Sequence, residues 1–167
     1  MSRLLPTPRR IQPLIASRLI PSPRRCTSTL RPRFASDTDE ATVTPALTPL
    51  LATSGGRWTL ASEGRALERS FRFKTFAKTW DFMTAVALQC KVENHHPEWS
   101  NAYNTAFIRW TTHDPRGLSA KDVGLAAACD AMAKAFGELE LEPASCTARD
   151  LADEAAATAG DCCTPKN

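Results

Sequence analysis

The residues of this chain best suited to chemistry are its three histidines. They are His95, His96 and His113, and all fall within 19 positions of a 167-residue sequence. His95-His96-Pro97 follows an apolar helical pattern, and His113 ends a run rich in strand-forming residues. Imidazole titrates near pH ~6.5, so it gives or takes a proton at neutral pH. Two or three of them around a small substrate suit the removal of water. One acid protonates a departing hydroxyl and one base takes a proton from the neighbouring atom. Other chemistries fit less well. Three histidines can hold zinc, but adjacent histidines diverge in extended chain and no H-x-x-x-H or H-x-H pair occurs. Ser100 lies four residues after His96 without a nucleophile-elbow motif around it,. Phosphate-loop and dinucleotide fingerprints are absent,.

The elements that must position these residues lie within 57–137, which holds all four tryptophans and the only tyrosine. Arg57-Trp58-Thr59-Leu60 reads as a short strand, and residues 61–64 as a turn. Leu67, Phe71 and Phe73 alternate with Glu68, Ser70 and Arg72, which predicts a second strand over 65–73,. A helix then runs from Lys74-Thr75 to about Lys91, with Phe76, Trp80, Met83 and Ala87 as its apolar stripe,. Pro97 breaks the pattern. Residues 98–104 and 105–112 read as two strands, and a hairpin between them brings His95-His96 and His113 to one sheet edge,. Ser119 is placed as an N-cap, Asp122 as the third helical residue, and Leu118 and Val123 as a hydrophobic staple,. Gly137 ends that last core helix. The order β-β-α-β-β-α predicts an α+β domain, a four-stranded antiparallel sheet with helices packed on one face.

The stretch Lys91-Val-Glu-Asn-His95-His96-Pro97-Glu98-Trp99-Ser100-Asn101-Ala-Tyr103-Asn104, continued by Thr111-Thr112-His113 and Gly117-Leu118-Ser119-Ala120-Lys121-Asp122, resembles the signature of the pterin-4a-carbinolamine dehydratases. The family pattern is H-H-P, an aromatic six residues after the proline, a histidine ten later and an aspartate nine after that. Pro97, Tyr103, His113 and Asp122 meet each step. The resemblance spans 57–137. It implies a dimer or tetramer that dehydrates 4a-hydroxytetrahydrobiopterin to quinonoid dihydropterin, with a reduced pterin as substrate and no cofactor or metal. It implies His95 and His113 as acids toward the 4a-hydroxyl, and His96 as a pterin-binding residue and base. Asp122 would support the site, while Trp99 and Trp58 would either flank the ring or pack in the core. Many relatives carry an acid at the positions of Lys91 or Asn94. Some members act instead as dimerisation cofactors or organellar assembly factors, the alternative reading of this chain.

Charge divides the sequence. Residues 1–34 hold eight arginines and no Asp, Glu or Lys, leaving 13 basic against 18 acidic side chains in the rest of a chain whose net charge is +3. An acidic remainder disfavours a nucleic-acid groove, and no apolar run is long enough for a membrane span,. The Arg- and Ser-rich start reads as an organelle transit peptide, mitochondrial before chloroplast or cytoplasm, cut after Phe34 so that the chain begins near Ala35. Residues 35–56 read as a linker with one possible short helix, and 138–167 as a disordered acidic tail. Cys26, Cys90, Cys129, Cys146, Cys162 and Cys163 lack disulfide-framework spacing,. A core of about 80 residues buries limited surface, which predicts a homo-oligomer.

Overall fold

A computed structural model describes residues 30–140 and 147–158. Most of the expected leader, 1–29, therefore lies outside the described residues, as do Cys26, Cys146, Cys162 and Cys163. The chain forms α1 (Glu40–Leu47), β1 (Thr59–Ala61), β2 (Ala66–Arg72), α2 (Phe76–Glu93), β3 (Glu98–Ala102), β4 (Thr105–Trp110), α3 (Ala120–Phe136) and α4 (Thr147–Thr158). The four strands make one antiparallel sheet in the order β1-β2-β4-β3. The expected β-β-α-β-β-α core is thus present. Helices stand on either side of it in sequence, one in the expected linker and one in the expected tail.

Strand alternation assigns the two faces of the sheet. Leu67 pairs with Trp110, Arg69 with Ile108 and Phe71 with Ala106. These residues face α2 and α3; all but Arg69 join Phe73, Phe82, Val86, Leu125, Ala126 and Cys129 in the main core, and the Arg69 guanidinium pairs with Asp130 and Glu138. On the opposite face Glu68, Arg109 and Glu98 stand in one row across three strands. Arg109 contacts Glu68 at 3.0 Å and Glu98 at 3.2 Å. α4 adds cover on this side. Ala152 packs with Phe107 and Ala102, and Asp153 pairs with Arg109 at 2.6 Å. Burial disfavours the Arg109 cation, but its bonds to Asp153 and Glu68 outweigh that and raise its pKa above the ordinary arginine value,.

Two expectations need correction. Thr147–Thr158, read as disordered tail, are helical: the segment is poor in large apolar residues, yet Ala152 and Asp153 find partners on the sheet. The stripe of α2 is also rotated. Thr79, Phe82, Met83 and Val86 are buried, whereas Phe76 and Trp80 are 47% and 53% exposed and stack on each other at 5.7 Å. Both stripes satisfy helical spacing and share Met83. The sheet decides between them, because Phe82 meets Phe71 at 4.9 Å and Phe73 at 5.0 Å.

Phe82→Ala is therefore expected to cost about 3–5 kcal/mol, as for other buried aromatics. Trp80→Ala is expected to stay within about 1 kcal/mol of the parent. Urea denaturation of the two variants over a range of protein concentrations measures the difference, and equal losses that do not depend on concentration would return Trp80 to the core.

Candidate active site

The C-terminus of α2 turns sharply at Asn94, whose φ of 49° is left-handed. Asparagine tolerates this conformation better than most side chains. The turn closes with the N–H groups of Asn94 and His95 both donating to the Cys90 carbonyl. It delivers His95 to the start of α3. Lys121 fastens the two helices there, its Nζ donating to the Glu93 carbonyl at 2.9 Å.

Asp122 is the fixed point of this region and is fully buried. Its Oδ2 accepts from the Ser119 N–H at 2.8 Å and the Ser119 hydroxyl at 2.9 Å. The Thr112 hydroxyl lies 2.7 Å from the same oxygen. Oδ1 is left for His95, whose Nε2 stands 2.7 Å away. A carboxylate only accepts, so Nε2 carries the hydrogen and Nδ1 is the nitrogen free for a bound molecule. The imidazole also stacks on Trp110, with ring centroids 5.7 Å apart and planes 19° apart. One contact fixes the ring's edge and the other its plane. Trp110 is itself fully buried, and its indole N–H finds no hydrogen-bond partner among the described residues.

His95 lines an open groove of about 530 Å³ with Asn94, Thr112, Asp114, Ser119 and Lys121 on one part, and Asp37, Thr38, Asp39, Thr42 and Val43 on another. His96 is exposed, and the His113 side chain is 38% exposed. His113 Nε2 stands 3.8 Å from Glu98 Oε1, three residues beyond His95. Glu98 pairs with Arg109 across β3 and β4 and follows His96 by two residues, so the hairpin sets His113 beside Glu98. The groove lining, however, includes His95 alone of the three.

Of the two tryptophans expected either to flank the ring or to pack in the core, neither lines the groove. Trp58 is fully buried, donates to Asp130 Oδ1 at 2.8 Å and meets Phe71 edge-on at 5.7 Å. It is a core residue because its partners come from β2 and the middle of α3. Trp99 pairs with Ile108 on β3 and packs against the same core. Sequence reasoning missed Thr112, Trp110 and Asp37–Asp39. Thr112 adjoins His113 and Asp39 is an N-cap, with its side chain accepting from the Ala41 N–H, so both had a local signal. Trp110 had none beyond strand alternation. Among the described residues no group of three His, Cys, Asp or Glu side chains is arranged to hold a metal ion, and no helix is long and apolar enough to cross a membrane.

Two measurements follow. Asp122→Ala strands the Ser119 N–H and the Thr112 hydroxyl and removes a cap, so it should cost about 2–3 kcal/mol in chemical denaturation. Burial pushes the Cys129 thiol well above its ordinary value, only partly offset by the Trp110 indole,. The thiol ionises in the unfolded chain at a pH where the folded chain keeps it neutral. Stability should therefore fall as pH rises above 9.0, the ordinary thiol value,. A Cys129→Ala variant should lose part of that alkaline dependence in pH-dependent unfolding.

The sequence model of the family described as "Pterin 4 alpha carbinolamine dehydratase" matches residues 37–132. A Rhodospirillum rubrum protein named "Putative pterin-4-alpha-carbinolamine dehydratase" is 52% identical over 73 residues, which is 44% of this chain and 76% of that one. A Novosphingobium aromaticivorans protein of the same name is 47% identical over the same shares. A crystal structure from Brucella melitensis, titled a transcriptional coactivator/pterin dehydratase, is 30% identical, with a TM-score of 0.48 over 60% of this chain and 99% of that one. The match at 37–132 takes in α1, the whole sheet, the three histidines and Asp122, and the chain belongs to the pterin 4 alpha carbinolamine dehydratase family.

Proposed function

We propose that the chain dehydrates 4a-hydroxytetrahydropterins to quinonoid dihydropterins. The observation that carries this reading is the Asp122–His95 pair, a hydrogen-bonded acid/base group opening on a groove of small-molecule size,. In the reaction the C4a–O bond breaks and the hydroxyl leaves as water after taking a proton. The N5 proton departs and its electron pair forms the C4a=N5 double bond. His95 is suited to the first proton: Asp122 holds Nε2–H and stabilises the imidazolium, while Nδ1 delivers or collects the proton. His113, beside Glu98, is the second acid toward the hydroxyl. His96 holds the ring and takes the N5 proton. Asp122 is a positioning residue that acts through His95.

We further propose self-association. The face of the sheet over β3 and β4 is covered by α4, so the case rests on the exposed Phe76–Trp80 pair and on Leu88 and Val92 of the same helix,. Light scattering at micromolar concentration should give a dimer or tetramer, and a monomer would contradict it.

Steady-state and stopped-flow kinetics with enzymatically generated 4a-hydroxytetrahydropterin test the mechanism. His95→Ala and His113→Ala should lower kcat, by up to about 10²–10⁴-fold and less where the uncatalysed reaction competes. His96→Ala should chiefly raise KM. Circular dichroism confirms folding. Wild-type kinetics in all three folded variants would transfer the chain to the non-catalytic binding or assembly class.

A further inference from the structure

Two glycines of left-handed φ face the same extended segment. A Cβ at Gly64 (φ 93°) would lie 2.0 Å from the Arg31 carbonyl oxygen. A Cβ at Gly117 (φ 153°) would lie 2.4 Å from the Ala35 nitrogen and 2.5 Å from the Phe34 carbonyl carbon. No side chain fits at either place, and the close approach is filled by backbone hydrogen bonds. Arg33 N–H donates to the Gly64 carbonyl at 2.8 Å, Ala35 N–H to the Leu118 carbonyl at 2.9 Å, and Leu118 N–H to the Arg33 carbonyl at 2.9 Å. Ala35 is buried and Phe34 packs on the core. The exposed Arg33–Glu63 pair adds little,.

This segment leads to the site from two directions. Leu118, which it grips, immediately precedes Ser119, the residue that donates twice to Asp122. Its downstream end, Asp37–Asp39, lines the groove shared with His95. Residues 31–36 lie upstream of the family match.

We infer that residues 31–39 form a strap that is a working part of the site, clamping the Leu118–Ser119 turn that holds Asp122 against His95 and walling the groove where substrate sits. The clamp is independent of the catalytic reading; the wall rests on it. Processing is constrained as a result. Cleavage after Phe34 would discard both Arg33 hydrogen bonds and place a new ammonium charge at the buried Ala35 nitrogen, which is costly. A leader, where removed, is cut at or before Arg31, and the expected boundary near Ala35 moves upstream.

The test uses the full-length chain. Gly64→Ala and Gly117→Ala collide with the strap. Gly55→Ala and Gly137→Ala (φ 89° and 80°) carry backbone strain comparable to that at Gly64, with nothing within 4 Å. Three readouts are compared: tryptic cleavage of the Arg33–Phe34 bond, fluorescence-detected binding of 7,8-dihydropterin, and kcat/KM. Wild type and the two strain controls should resist the cut. The two colliding variants should be cut about tenfold faster or more and lose about tenfold or more in binding and kcat/KM. Gly64 adjoins only the upstream end of the strap, so its variant decides the matter if Gly117→Ala does not fold. Gly64→Ala behaving like Gly55→Ala would overturn the inference, as would a fully active natural protein starting at Ala35. A cleavage difference without dehydration by any protein, wild type included, would support the clamp and overturn the dehydratase reading.

Discussion

The structure around the histidines depends on one buried carboxylate. Asp122 cannot sit fully buried without partners, since an unsatisfied charge there would cost several kcal/mol,. Ser119 and Thr112 satisfy Oδ2, and His95 satisfies Oδ1. The same oxygen that caps α3 therefore fixes which way the other one points. Capping and orientation of the imidazole are a single arrangement, so helix α3 cannot start elsewhere without releasing His95. The left-handed Asn94 and the Lys121–Glu93 bond complete it from the α2 side.

The sheet gives this arrangement a rigid back. Its face toward α2 and α3 is aromatic and aliphatic apart from the paired Arg69, and Trp110 reaches from that core to lie under His95. Its other face carries a charged row, Glu68–Arg109–Glu98, which a purely apolar packing scheme would not produce. Each charge in the row is paired, with Asp153 and Arg149 of α4 closing it from above. Glu98 belongs to this row and also faces His113. The packing of the second face thus meets the edge of the candidate site through one residue.

Much of this was legible in the sequence for identifiable reasons. The capping box at Ser119 and Asp122 is a local pattern with one geometric solution, and the structure has it. The alternation of Leu67, Phe71 and Phe73 fixes a strand face because the side-chain period is two. The order of elements fixes the antiparallel sheet. α1 lies in the segment read as a linker with one possible short helix; Asp39 caps it, and Val43 and Leu47 bury its inner side. The stripe of α2 was ambiguous because two apolar stripes share the helical period.

The sequence by itself determined the family, the strand and helix order, and the three histidines with their aspartate, since these rest on residue types at short, fixed spacings. Only the tertiary structure decided which stripe of α2 is buried, that Trp58 and Trp99 serve the core, and that a segment read as leader and linker borders the groove. Those outcomes are contacts between residues distant in sequence. The packing of Phe82 on Phe71 and Phe73, the Trp58 bond to Asp130 and the approach of Arg31–Ala35 to Gly64 and Gly117 leave no periodic trace along the chain.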